Sequence, residues 1–333
     1  MSISQRATSA TNVSTGYHTC DRWNVIRGAG TLNVSQETDA PTGSGFVKSF
    51  KFLEAGSGAS PSAGDRNYLQ QRIEGQNLQY LKKGTSSAQQ LTLSFHIKAT
   101  VTGTYIAELF DTDNSRQVSK AYTVNSSNTW EYKTITFPAD TTGAFNNDND
   151  VSLDVSLYLT AGSNFTSGTL NTTWNSNTNA NRAVGQVNAL ASANDLVQFT
   201  GVQLEAGETA SEFEFLPHDV NLNRCLRYFQ AINGAINMHQ TSSSSQAIVH
   251  FALQQNMRAT PTMAIANQTA NIGVFGGNND ASSPSVSANK SSSTYGSCEY
   301  THGQNFHSDS SGESQTLIYN DHGTRFFTMS AEL

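Results

Sequence analysis

The chain has little charge. Asp, Glu, Lys and Arg together make up 14% of its 333 residues, against roughly a quarter in an ordinary soluble domain. The balance is acidic, a formal −7, and the densest basic pair is Lys82-Lys83. Phosphate backbones are held by clustered Lys and Arg, so nucleic acid is excluded as the main partner. Cysteine is scarce and odd in number, with Cys20, Cys225 and Cys298 far apart. That excludes a dense disulfide framework and any CxxC metal site, and predicts buried free thiols in a chain folded in a reducing cytoplasm. There is no apolar run long enough to span a membrane and no recognisable signal peptide, so membrane insertion is not expected. The HExxH, Gly-x-Ser-x-Gly, P-loop and Rossmann signatures are also missing, and no cofactor is expected.

What replaces charge is Ser, Thr, Asn and Gly. Hydrophobic residues still reach 36%, with 17 Phe and 11 Tyr, which is enough for a core and unlike a disordered chain. A neutral polar surface over a β-rich core suits a protein made in a cytoplasm that works outside it. The Asn-x-Ser/Thr triplets, such as Asn33-Val34-Ser35, are expected by chance in this composition.

From about Phe46 to Phe215 the pattern is of strands. Alternation with period two runs through Leu91–Ile97, Thr104–Phe110, Trp130–Phe137, Val151–Leu159 and Leu196–Leu204. Polar turns separate these segments, which predicts an antiparallel sandwich, most simply a jelly roll. Phe165 to Ala193 reads as a long polar segment, uncommon unless it is functional or holds further structure. The period then changes. Asp219 can cap a helix in which Leu222, Cys225, Leu226 and Phe229 share one face. That helix, ending near Gln230, is too short to stand alone. It must pack on a domain or on copies of itself around a symmetry axis. Strand patterns return at Ala247–Leu253, Ile272–Phe275, Leu317–Tyr319 and Phe326–Met329. The predicted fold is all-β: an N-terminal jelly-roll β-sandwich (1–217), a short linking helix (218–230) and a smaller C-terminal β-sandwich tip domain (231–333).

Candidate chemistry is sparse. Glycoside hydrolysis needs two carboxylates across the scissile bond; Glu74, Glu205 and Asp154 are candidates, but Asp154 alternates with Leu153 and Val155 and is expected to face solvent. His302 and His307 are five apart, which suits neither one helix face nor one strand face. The reading is surface histidines, with metal binding as the alternative. Asn146–Asp150 is a solvated turn or a calcium ligand set, although it lacks the Gly and Glu of an EF-hand loop. Sugar binding needs exposed rings beside planar polar groups. Trp23, Trp130 and Trp174 are the obvious rings, and Trp174, with Asn175 beside it in an Asn/Thr-rich loop, is the better ligand platform. Tyr295, Tyr300, Phe306 and the two histidines form a second aromatic stretch, read as a receptor contact or as ordinary packing.

Several motifs occur in a telling order. Gln5-Arg6-Ala7-Thr8-Ser9 precedes Tyr17 and Asp21-Arg22-Trp23; Gln71-Arg72-Ile73-Glu74-Gly75, Asn181-Arg182-Ala183-Val184-Gly185-Gln186, Gly201-Val202-Gln203-Leu204-Glu205, Phe213-Glu214, Cys225-Leu226-Arg227-Tyr228-Phe229 and Met257–Thr262 follow. Together they resemble bacteriophage tail-fibre and virion appendage proteins with a carbohydrate-binding-module-like jelly roll. Ala7 stands where that family has Gly. Met1 sits almost directly on the opening motif, so attachment is expected from another protein, a few N-terminal residues or an upstream segment. The resemblance implies a homotrimer in the virion, released by lysis, that meets other tail or head proteins and host cell-surface glycan without catalysis. It also implies a structural bond for Glu205 in a family turn, core places for Trp23 and Trp130 in family strand motifs, and a fold role for Trp174. Leu222, Leu226 and Phe229 are then the expected oligomer interface. A purely structural head decoration or tail adaptor is the alternative; a capsule-degrading glycosidase is a third.

Overall fold

Alternation along Leu91–Ala99 buries Leu93, Phe95 and Ile97 completely and leaves His96 and Lys98, between them, partly covered. Successive strand side chains point to opposite faces, so one face enters the core and the other remains available. Each buried Leu, Ile or Phe contributes about 1.5–3 kcal/mol. The computed structural model describes the backbone of residues 1–233, 237–240, 246–265, 271–274, 277–280, 285–287, 295–301, 316–319 and 325–333, and the side chains of 1–232, 253–264 and 328–333. The chain divides into two units, Met1–Leu216 with Leu333, and Pro217–Glu332.

In chain order the strands of the first unit are β1 (Ser9–Ala10), β2 (Gly16–Tyr17), β3 (Asn24–Ile26), β4 (Leu32–Glu37), β5 (Ser49–Glu54), β6 (Arg66–Glu74), β7 (Leu91–Ala99), β8 (Gly103–Asp111), β9 (Arg116–Val124), β10 (Glu131–Phe137), β11 (Val151–Ala161), β12 (Asn175–Ser176) and β13 (Leu196–Ala206). They build a six-stranded sheet A, ordered β1-β4-β5-β13-β7-β10, and a seven-stranded sheet B, ordered β12-β9-β8-β11-β6-β3-β2. Phe50, Phe52, Phe95 and Phe199 of sheet A share one core with Tyr105, Leu109, Leu153 and Leu157 of sheet B. This is the antiparallel sandwich that the alternation predicts. The sequence pattern missed β9, and the reason is physical. Gln117 and Ser119 are as fully buried as Val118, so its polar positions do not mark a solvent face.

The outer face of sheet B is sealed by the long polar segment. This segment holds α1 (Ser163–Thr166), β12 and a 3-10 turn at Asn179–Asn181. Its Arg182 donates twice to the Glu108 carboxylate, at 2.7 Å each, and Tyr158 Oη donates to the same group at 3.1 Å. The Gln186 side-chain oxygen accepts the Ile106 amide at 2.8 Å, and the Ala183 amide donates to Phe165 O at 2.8 Å. Asp154, expected at the surface, is buried beneath this layer at 8% exposure. Alternation told its face correctly, but that face is covered. Gln70 Nε2 donates to it at 2.9 Å and Arg72 Nε lies 3.6 Å away. Burial pushes its carboxyl up to about 6, with Arg72 opposing that rise.

The second unit is also β. It has a three-stranded sheet of Phe229–Asn233, Arg325–Ser330 and Thr262–Ile265, and a seven-stranded sheet. It opens with α2 (His218–Leu226). The cap position is Pro217, without a side-chain bond, and Asp219 lies in the first turn rather than capping it. There its charge still favours the positive end of the helix dipole. Phe229, expected on the helix, instead begins a strand. Leu226 and Phe229 are each 5% exposed within this single chain, and Leu222 is partly buried. Leu226 and Phe229 are thus covered within one chain, and Leu222 is the more accessible member of the expected oligomer interface. Gln230 fastens the helix end, donating to Leu226 O at 3.0 Å and Gln255 O at 2.6 Å while accepting the Gln254 amide at 3.0 Å.

Candidate functional site

The outer face of sheet A is not sealed. Register places Tyr132 of β10 opposite His96 of β7, and Thr200 of β13 on the other side of His96. The β13–β7 ladder slips between Thr200 and Gln203. Gly201 sits at this irregularity with φ +61°, and a Cβ there would run into the Phe46 ring. A glycine at a bulge therefore gives Phe46 its seat. Gly45, at φ +80°, leaves similar room for Phe215, whose Cζ would lie 3.0 Å from an added Cβ.

Five rings meet here. Phe46 lies 4.8 Å from Phe213, 5.0 Å from Phe215 and 5.5 Å from His96, centroid to centroid. Phe213 and Phe215 are 5.0 Å apart, and His96 is 4.9 Å from Tyr132. They line an open groove of about 780 Å³ together with Ser94, Ser211 and Glu212, a volume typical of ligand sites. Phe215 is 57% and Tyr132 50% exposed, so both present ring faces to solvent. Burial holds His96 below the ordinary histidine pKa, because desolvation disfavours its charged form. One groove residue, Glu212, carries a carboxylate, and none is Lys or Arg.

The residues singled out from sequence lie elsewhere. Trp174 packs against the core, donates from Nε1 to Pro138 O at 2.8 Å, and has the Lys83 ammonium 5.3 Å from its ring centroid. Lys83 is itself buried, bonded to Asp111 at 2.5 Å, Asp140 at 3.0 Å, Gly143 O at 2.7 Å and Thr142 O at 3.0 Å. The platform reading of Trp174 is thus corrected: its ring closes an internal ion cage. Asn175 is exposed on the short edge strand β12 and bonds locally to Thr173 O at 3.0 Å. Tyr295 and Tyr300 fall in Tyr295–Thr301, where only the backbone is described; His302 and His307 lie outside the described residues. Trp23 is core, as expected. Trp130 is not: it is half-buried and donates to Asp39 Oδ1 at 3.1 Å.

Glu205 accepts the Ser211 amide at 2.9 Å and its hydroxyl at 2.7 Å, the structural bond that the resemblance implies. These bonds fold the chain after β13 back toward sheet A. In the turn at 146–150, the Asn146 amide and side chain donate to Asp113, each at 3.0 Å. Among the described residues no three His, Cys, Asp or Glu side chains form a metal-ligand group, and no helix is long and apolar enough to cross a membrane. Cys20 is a buried free thiol that burial pushes up to about 11, and Cys225 is buried as well.

Sequence reasoning missed Phe46, His96, Tyr132, Phe213 and Phe215 as a group. The outward positions of His96 and Tyr132 were legible in the alternation of β7 and β10. Their meeting depends on strands and loops far apart in sequence.

Known proteins offer distant likeness. No family model matches the chain, and no curated protein matches it. Among solved structures, the enzymatically active domain of tailspike protein 4 from bacteriophage CBA120 aligns at 14% identity and TM-score 0.33. That alignment covers 56% of this chain but only 19% of the tailspike. A family 11 carbohydrate-binding module of a Clostridium thermocellum cellulase aligns at 11% identity, covering 61% of this chain and 98% of that one, with TM-score 0.31. The module TmCBM61, solved with β-1,4-galactotriose, aligns at 12% identity over 56% of this chain and 88% of its own, with TM-score 0.30. At these scores the likeness transfers neither ligand nor activity to this chain.

Proposed function

We propose that this protein is a non-enzymatic bacteriophage fibre or appendage component that adsorbs to host-surface glycan through the groove on sheet A. The observation that carries the proposal is the set of solvent-facing rings, Tyr132 and Phe215, flanking His96 and Phe46 beside Ser94, Ser211 and Glu212. Sugars offer apolar faces to such rings and hydroxyls to the polar groups around them. A single carboxylate lines the groove, whereas glycoside hydrolysis uses two, which supports binding over cleavage. The ordered phage-fibre-like motifs support a place in the virion. Assembly into a homotrimer belongs to the same proposal and would make weak sites act together.

Affinity electrophoresis of the intact protein in gels containing host polysaccharide tests the reading. Retardation that disappears in Tyr132→Ala and Phe215→Ala is the expected result. Equal mobility of wild type and variants in every polysaccharide would sink it. Light scattering reads assembly, and a mass of one chain would contradict the trimer. Release of new reducing ends from the same polysaccharides would contradict the non-enzymatic assignment.

One observation favours a second reading. Val47, beside Phe46 in sequence, is 70% exposed and can extend an apolar contact for another virion protein. In that case the same substitutions would weaken incorporation into particles and leave polysaccharide mobility unchanged.

A further inference from the structure

Neutrality is built into the groove. Its twelve lining residues contain no Lys or Arg, one carboxylate at the exposed Glu212, and one imidazole at His96. Two nearby hydroxyls are already committed: Ser44 Oγ donates to Pro41 O at 2.6 Å and Ser211 Oγ to Glu205 at 2.7 Å. His96 is different. Its Nδ1 is buried without a hydrogen-bond partner. The other ring nitrogen, Nε2, is not among the buried unpartnered atoms, which leaves it as the one open to the groove.

The proton has a preferred place. Buried N–H groups without an acceptor are rarer in folded proteins than buried acceptors without a donor. The tautomer that avoids an orphaned donor carries its hydrogen on Nε2, facing the groove. A doubly protonated ring would put an N–H on Nδ1 with nowhere to donate. The low pKa of His96, caused by desolvation, agrees with this. Phe46 on one side and Tyr132 on the other hold the ring in place.

From this arrangement we infer that His96 is the specificity-determining residue of the groove and that the groove takes an uncharged glycan. This inference rests on the glycan reading proposed above. A pyranose hydroxyl can accept from His96 Nε2–H and donate to Glu212. The carboxylate of a uronate or other acidic sugar can only accept, and it meets the Glu212 charge with no cation lining the groove to offset it.

The test uses the full chain and matched polymers. Polygalacturonate, alginate and a hexuronate-bearing bacterial capsule are each compared before and after carboxyl reduction, so that each pair differs in a neutral primary alcohol in place of a carboxylate. Binding is read by affinity electrophoresis and calorimetry. At least one reduced polymer is expected to bind about tenfold more tightly than its acidic parent. His96→Phe keeps a ring but removes the donor, and should weaken that binding about tenfold with an unchanged melting temperature. Glu212→Lys should narrow or reverse the preference for the neutral form. Tighter binding of the acidic parents by wild type would overturn this inference while leaving the groove as a glycan site. So would full-strength binding by a folded His96→Phe protein. If neither form of any polymer binds, and Phe215→Ala behaves as wild type, the groove reading falls and this inference with it.

Discussion

The two outer faces of the sandwich are opposites. On sheet B, Glu108, Asp154, Gln117 and Ser119 are buried under an added layer of chain. On sheet A, the rings of Tyr132 and Phe215 stand in solvent. A polar face is hidden and an aromatic face is open, against the usual sorting of residues. Part of the cost of that burial is offset by bonds, with Arg182 neutralising Glu108, Gln70 reaching Asp154 and Gln117 donating to Thr178 O. The open face gains nothing for folding from its exposed rings. An exposed apolar patch of this kind marks a contact surface, which is why function is assigned to sheet A and stability to the cover on sheet B.

The largest test of this contrast is Arg182→Ala. It leaves the buried Glu108 carboxylate unpaired and should cost about 3–5 kcal/mol in denaturant unfolding. Below its own melting transition the variant should still bind glycan through sheet A. Loss of binding in a folded Arg182→Ala protein would show that the two faces are coupled.

Asp154 sharpens the same contrast through pH. Its folded pKa, raised to about 6, exceeds that of the unfolded chain, so between roughly pH 4 and 6 the native state holds more protons. Its contribution is neutral below that window and becomes a penalty as pH rises through it, reaching about 2–3 kcal/mol above pH 6. Asp154→Asn should flatten that slope and raise stability at neutral pH, less whatever is lost from Arg72. A variant that steepens the slope would contradict the assignment.

Gly201→Ala tests the groove floor. A side chain at φ +61° beside Phe46 should cost about 1–3 kcal/mol and displace that ring, lowering affinity as well. The smallest stability effect is expected at the rim. Tyr132→Ala and Phe215→Ala should change unfolding by no more than about 0.5 kcal/mol, as surface substitutions do, yet each should lower glycan affinity about tenfold, or about 1.4 kcal/mol. A large loss of stability in either would move that ring from the binding face to the fold.

Much of this was legible from local pattern. Alternation marked β7, β8, β10, β11 and β13 because one face of each is apolar. It also put His96 and Tyr132 on outward positions. It misled at β9 and at Asp154, where outward polar residues are covered by distant chain. At Trp174 the composition of the loop suggested a platform, but the ring's surroundings, Lys83 and Pro138 O, come from other parts of the sequence. The helix at 218–226 shows a related limit: its apolar face was readable, yet what covers Leu226 and Phe229 was not.

By itself, then, the sequence determined the class of the first unit and the inward and outward sides of its main strands. Those are short-range properties, set by side-chain period and residue type. Tertiary structure decided which outward side would be sealed and which left open. That choice depends on where residues 162–190 fold back, how β13 bulges at Gly201, and how Phe46, Phe213 and Phe215 arrive on one sheet from separate stretches of chain. Burial is a property of neighbours in space, and no local pattern carries it.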